Sequence, residues 1–106
     1  MPSVQHRLTV QYFRPTDAVA FEAAYRQRHV PLALAVPGLT RFTVSTPRGA
    51  EDAPYLVAEL WFPDRETLKS GLASPEMAAA AADAETYDVG HRVAFTGAVE
   101  DLLAQP

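Results

Sequence analysis

One histidine in the sequence is placed where it can do acid–base chemistry. His29 lies near the end of a helical stretch, two residues before Pro31, within the segment EAAYRQRHVPLALAVPG at 22–38. It falls at the edge of an apolar stripe with Tyr25 and Leu32, which predicts partial burial. Burial disfavours the imidazolium and a helix C-terminus favours it, so we expect a pKa near neutrality, suited to a general acid or base. The alternative is a structural histidine that caps the last carbonyls of a helix broken by the proline.

Four aromatic residues are candidates for the wall of a substrate-binding pocket. Tyr25 precedes His29 by four residues, so the two side chains meet on a helix, although a core aromatic gives the same pattern. Tyr12 and Trp61 fall on predicted strands, and Tyr87 follows an alanine-rich helix. Each combines a large apolar body with a polar tip, which suits either a ring-binding pocket or a plain core.

Composition excludes several functional classes. The absence of cysteine rules out disulfides, thiolate catalysis and cysteine metal sites, and it fits a reducing cytoplasm. The three histidines lack ligand spacing, so no metal site is predicted. The net charge is −4, Lys69 is the only lysine and the arginines are scattered, which argues against nucleic-acid binding.

Length and hydropathy favour one domain that spans residues 1–106. The N-terminal segment lacks the basic and apolar regions of a signal peptide. No apolar stretch approaches the ~20 residues of a membrane span. We therefore expect a cytoplasmic protein with no membrane partner.

Periodicity predicts four strands and three helical segments. Asp17 or Thr16, then Asp64 and Ser74, are the expected helix N-caps. Leu8, Val10 and Tyr12 alternate with polar residues, as in a half-buried strand. The predicted strands cover 6–13, 39–47, 55–62 and 89–99, and the predicted helices cover 17–29, 63–72 and 74–85.

The order β-α-β-β-α-β, with the second helix split, predicts an α+β ferredoxin-like fold with a four-stranded antiparallel sheet. Helices on one face of the sheet leave large residues on the other face uncovered, so we expect a homodimer that stacks two sheets. Glu59 interrupts an apolar strand and needs a cationic partner, for which Arg41 and Arg92 are candidates.

Three groups of residues resemble the EthD-like family of dimeric α/β-barrel proteins. They are RHVPLA with PGL at 28–39, ELWF at 59–62, and SPE with AAAD at 74–83, within a resemblance that extends from about Leu8 to Val99. The resemblance implies two sheets closed into a barrel and an apolar cleft between each sheet and its helices. It matches His29 and Asp83 to a histidine and an acidic residue of the family. Relatives isomerise lactones or cyclise polyketides, mostly without metal or organic cofactor.

Two functions follow as hypotheses. In the first, a cofactor-independent isomerase or cyclase uses His29 as general acid or base, oriented by Asp83, on a small cyclic or aromatic compound. In the second, the chain is a non-catalytic dimer that binds a small apolar molecule, and Asp83 only caps or pairs near its helix end. A third reading, oxygen chemistry without a cofactor, requires a substrate that itself activates oxygen.

Overall fold

A computed structural model describes residues 4–104, so residues 1–3 and 105–106 of the predicted domain lie outside the described part. The chain forms a continuous series of short elements. The strands are β1 (Gln5–Pro15), β2 (Arg41–Ser45), β3 (Leu56–Phe62) and β4 (Val89–Val99). The helices are α1 (Ala18–Ala24), a π-helical turn (Tyr25–His29), α2 (Val30–Leu34), α3 (Arg65–Leu72) and α4 (Pro75–Ala84).

The strands of residues 4–104 form one antiparallel sheet in the order β2-β3-β1-β4. The two central strands are therefore β1 and β3, although they are separated in the chain by β2. Because β3 and β4 both run antiparallel to β1, they are parallel to each other, and β1 is likewise parallel to β2. Parallel strands of one sheet are joined by crossovers, which the helical segments form here. This arrangement confirms the predicted α+β ferredoxin-like fold.

The two faces of the sheet differ in what covers them. Along β3, Leu56, Ala58, Leu60 and Phe62 are buried, whereas the intervening residues are only partly buried. The buried set packs on helical residues such as Phe21 and forms the core. We call the opposite side the open face; it includes Arg7, Thr9, Gln11, Phe13, Arg41, Val57, Glu59, Trp61, His91, Val93 and Phe95.

The predicted helix caps are confirmed. Asp17, Asp64 and Ser74 each accept a hydrogen bond, through their side-chain oxygen, from the backbone N–H three residues later. Such caps satisfy donors that the first helical turn leaves unpaired. No helix of the described residues is long and apolar enough to cross a membrane.

The prediction that the first helix ends at residue 29 is wrong. The helical path continues through a π-helical turn, in which the Val30 N–H bonds to the carbonyl of Tyr25, and then through α2 to Leu34. The wider turn takes up one extra residue, so Pro31 falls in the first turn of α2, where a missing N–H breaks no hydrogen bond. His29 therefore lies inside a helical path and not at its C-terminus.

The predicted partners of Glu59 are also wrong. Glu59 pairs with Arg7 on β1, with 3.0 Å between Oε2 and the Arg7 guanidinium. Arg92 cannot reach Glu59, because β1 separates β4 from β3 and Arg92 lies opposite Tyr12 on the helix-covered face. Arg41 lies over the ring of Trp61 instead.

Gly38 is required where the chain turns into β2. Its φ of +87° is in the left-handed region, and a Cβ there would lie 2.3 Å from Cγ2 of Thr67. Thr67 is β-branched and has little rotamer freedom with which to move away. Gly49 has a similar φ of +95°, but a Cβ there would meet no atom within 4 Å.

We expect Gly38→Ala to lower the free energy of unfolding by about 1–3 kcal/mol more than Gly49→Ala does, because only Gly38 adds a clash to the backbone strain. Urea denaturation followed by circular dichroism measures both variants. Equal losses in the two variants would show that the Thr67 contact is not limiting.

Candidate functional site

A cavity of about 230 Å³ lies between the helix-covered face of the sheet and the helices. Most of its lining is aliphatic, from Leu8, Val10, Ala33, Ala58, Leu60, Leu72, Met77, Ala80, Ala81, Ala84 and Ala94. The other lining residues are Tyr12, Tyr25, His29 and Arg92. An apolar wall with a few polar groups is typical of a small-molecule site. Residues 4–104 contain no group of three or more acidic or histidine side chains that could hold a metal ion.

His29 is the titratable group that the helices bring into this cavity. It is 8% exposed, and its Nδ1 lies 3.0 Å from Oδ2 of Asp83. Because a carboxylate only accepts hydrogen bonds, Nδ1 carries the proton and donates a hydrogen bond to Asp83. The other ring nitrogen, Nε2, has no hydrogen-bond partner among residues 4–104 and holds the lone pair when the imidazole is neutral.

Asp83, in the last turn of α4, is the centre of a hydrogen-bond network. Its Oδ1 accepts from Nε of Arg28, and its Oδ2 accepts from His29 and, at 2.6 Å, from the Tyr87 hydroxyl. Arg28 also donates to the Thr86 hydroxyl at 2.9 Å. Burial on its own would raise the pKa of Asp83, but the hydrogen bonds from Tyr87, Arg28 and His29 outweigh it and lower the pKa. Asp83 is therefore ionised and held in one orientation.

The environment of His29 favours its neutral form. Burial lowers the pKa of the imidazole most; the bond to Asp83 opposes this, and the positive charges of Arg92 and Arg28 add to the lowering. The expected help from a helix C-terminus is missing, because the π-helical turn continues into α2. The pKa therefore lies below its ordinary value, and His29 is a base at neutral pH.

The four predicted aromatic residues occupy three different places. Tyr12 and Tyr25 are almost completely buried and line the cavity, with 5.6 Å between their ring centroids. Tyr87 lies behind the imidazole, bonded to Asp83, and is not part of the lining. Trp61 is on the open face, between Arg7 and Arg41, so the interpretation that it lines the same cleft is wrong.

Tyr12 and Tyr25 are the two buried tyrosines of the cavity wall. Burial raises the pKa of Tyr12 to about 12, and it also raises the pKa of Tyr25, so both stay protonated in the neutral range. The Tyr25 hydroxyl is fully buried without a hydrogen-bond partner among the described residues. An unpaired buried hydroxyl is uncommon in a folded protein.

Arg92 lines the cavity, whereas the sequence analysis names it as a candidate partner of Glu59. Its strand partner across β1 is Tyr12, so the alternation of β4 places Arg92 on the cavity side. It is the one lining residue with a permanent charge. The alternation of side chains along β4 could have indicated this, because Arg92 and Ala94 share one face of the strand and Val93 and Phe95 share the other.

Comparison with known proteins identifies the family. The model of the EthD domain matches residues 14–87. An uncharacterised 11.0 kDa protein from the thcB–thcC intergenic region of Rhodococcus erythropolis is 33% identical over 88 residues, which are 80% of this chain and 85% of that protein. The chain belongs to the EthD family. The resemblance noted in the sequence is thereby confirmed.

Solved structures agree with this assignment. An EthD-family protein from Bacillus halodurans superposes with a TM-score of 0.80 at 27% identity, over 88% of this chain and 96% of that one. A dimeric ferredoxin-like protein of unknown function from Thermobifida fusca has a TM-score of 0.65 at 16% identity, over 92% of both chains. SnoaB, a cofactor-independent oxygenase from Streptomyces nogalater, has a TM-score of 0.65 at 16% identity, over 99% of this chain and 100% of that one. The last two likenesses concern the fold alone.

The lowered pKa of His29 makes the stability of this EthD-family protein sensitive to acid. Below pH 6.5 the unfolded chain takes up the histidine proton first, while the folded protein resists it, so stability falls as the pH decreases. We expect the free energy of unfolding to decrease by at most about 1.4 kcal/mol per pH unit from this one proton. In His29→Gln this loss disappears.

Urea denaturation at pH 7.5, 6.5 and 5.5 measures the effect. His6→Gln, which removes a histidine outside the cavity lining, is the control. If His29→Gln loses as much stability on acidification as the native protein does, the protein does not hold His29 neutral.

Proposed function

We propose that this EthD-family protein is a cofactor-independent enzyme that moves a proton on a small cyclic or aromatic compound, as an isomerase or cyclase does. The proposal rests on one arrangement of side chains. The neutral His29 lines an apolar cavity, Asp83 fixes its Nδ1–H, and Nε2 is left unpaired. A base with an orienting carboxylate is the arrangement that general base catalysis requires.

The proposed step is proton abstraction from a carbon next to a carbonyl. The C–H bond breaks, its proton passes to Nε2 of His29, and its electron pair forms the C=C bond of an enolate. Where a C=C bond is conjugated with the enolate, the imidazolium returns the proton to the far carbon, which moves the double bond. Alternatively, the enolate carbon attacks a second carbonyl, whose π electrons pass to its oxygen, and that oxygen takes the proton from the imidazolium as the ring closes. Both outcomes need only a base, an acid and a dry, shaped cavity.

The groups around His29 assist both halves of this step. The negative charge of Asp83 stabilises the imidazolium that forms, while Arg28 and Tyr87 keep that carboxylate ionised and oriented. The Tyr25 hydroxyl is unpaired but has no accessible surface, so it can donate to the oxygen on which enolate charge develops only after its ring shifts. The aliphatic lining strengthens these interactions by excluding water.

We expect His29→Gln to lower the rate of proton exchange about 10²–10⁴-fold, the usual contribution of a general base. The assay incubates a panel of small unsaturated lactones and polyketide-like β-dicarbonyl compounds in D₂O and follows the loss of C–H signals by NMR. Asp83→Asn causes a smaller loss. It also moves the acidic limb of the kcat/KM profile to lower pH, because Asp83 raises the pKa of His29.

His6→Gln is the matched control and keeps the native rate, since His6 lies neither on the open face nor in the cavity lining. The proposal fails if the native protein exchanges no proton above background across the panel, or if His29→Gln exchanges as fast as the native protein. Repeating any positive reaction without oxygen separates proton transfer, which continues, from cofactor-independent oxygen chemistry, which stops.

The preponderance of aliphatic lining favours one alternative, a non-catalytic dimer that binds or carries a small apolar molecule. Native mass spectrometry of freshly purified protein discriminates between the two. A retained intact ligand without turnover on the panel favours binding, whereas a substrate–product mixture favours the enzyme.

The homodimer is part of the proposal, with the open faces of two sheets stacked together. Val93 and Phe95 are exposed at 37% and 45% on this face, and the buried Trp61 indole N–H and Thr9 hydroxyl have no partner among the described residues. Large apolar side chains next to unpaired polar atoms favour a second protein surface here. The similar Thermobifida fusca protein is described as dimeric.

We expect the native protein to sediment as a dimer at micromolar concentration, and Val93→Asp with Phe95→Asp to sediment as a monomer, because the paired sheets would bury four uncompensated carboxylates. Val19→Asp is the control. Val19 is 81% exposed on α1, away from the sheet, and its replacement leaves the dimer intact. A native monomer, or a double variant that remains dimeric, would rule out stacking through this face.

A further inference from the structure

The cavity has two functional walls. His29 and Tyr25 lie on the helical wall, and Arg92 lies on the sheet wall, next to its strand partner Tyr12. The Tyr12 and Tyr25 rings are 5.6 Å apart, and the Tyr25 and His29 rings are 4.9 Å apart. A molecule in the cavity therefore contacts a base on one side and a guanidinium on the other.

Arg92 has no ion-pair or hydrogen-bond partner within residues 4–104, in contrast to Arg7 and Arg28, which have carboxylate partners. No acidic residue lines the cavity, since Asp83 lies behind His29 and is engaged with three donors. The positive charge on the sheet wall is therefore not balanced by the protein. Arg92 is exposed to solvent on the edge strand β4, and its guanidinium offers parallel N–H donors that match the two oxygens of a planar carboxylate.

The volume limits the size of the ligand. A cavity of 150 Å³ in another protein holds one benzene molecule, so about 230 Å³ accommodates one ring with small substituents. The aliphatic walls supply the contacts for that ring.

We propose that Arg92 is the anion-binding residue of this cavity and that the substrate is a one-ring organic acid whose carboxylate pairs with Arg92. This inference rests on the proposed function and deepens it, because a carboxylate held at the sheet wall sets which ring carbon faces His29. Arg92 thereby acts as a specificity-determining residue: neutral analogues of the same shape enter the cavity with lower affinity.

Benzoate and benzamide test the inference directly, since they have the same shape and differ in charge. Binding is titrated by NMR at pH 7.5 in dilute salt, and the His29 imidazole resonance reports occupation of this cavity. We expect benzoate to bind at least about tenfold more tightly than benzamide, as charge-assisted hydrogen bonds imply. In Arg92→Gln the preference is lost through weaker benzoate binding, and in Arg92→Lys part of it is retained.

Arg65→Gln is the matched control, because it changes the net charge equally at an exposed site on α3. The inference is overturned if benzoate shows no preference in the native protein, if neither compound shifts the His29 resonance, or if Arg65→Gln weakens benzoate as much as Arg92→Gln does. The proposed function is judged separately. His29→Gln, in which the NMR signals of benzoate and benzamide themselves report binding, retains the benzoate preference, so failure of proton exchange with an intact preference would refute the catalysis and leave the anion site standing.

Discussion

The candidate site depends on one buried carboxylate. The Asp83 side chain is only 8% exposed, and an ionised group at that depth is tolerated only if its lone pairs are engaged. Three donors engage them, and these come from the π-helical turn and from the segment after α4. The same contacts that keep Asp83 charged therefore join the first helical segment to the last one. They also fix the tautomer and orientation of His29, so that stability and chemistry share one set of hydrogen bonds.

The fold was predictable because its signals are local. Alternation in β1, side-chain caps at Asp17, Asp64 and Ser74, and the order of elements are read from neighbouring residues. The π-helical turn was not predictable, because its periodicity differs from that of an α-helix by less than one residue per turn. The proline rule pointed to a helix end, whereas packing of Tyr25 and His29 against the sheet makes a continued helical path favourable.

The site was predictable only in part, because its members are distant in sequence. His29 and Asp83 are separated by 54 positions, and no local pattern shows that they meet; the family resemblance indicated both residues. Trp61 was assigned to the wrong face because β3 is apolar on both sides, so alternation does not distinguish them. Arg92 was missed because a charged residue on an edge strand has the pattern of a solvated one until its pairing with Tyr12 is known.

The strand β4 serves two surfaces at once. Arg92 and Ala94 line the cavity, and Val93 and Phe95 lie on the open face. Neighbouring positions in the chain therefore contribute to different surfaces. Substitution at one position can alter the pocket without touching the opposite surface. Insertion or deletion of a single residue exchanges the two sets, because a strand alternates with a period of two. Under the proposed function, ligand preference and dimer contact can therefore vary independently in sequence, while both constrain the length of β4.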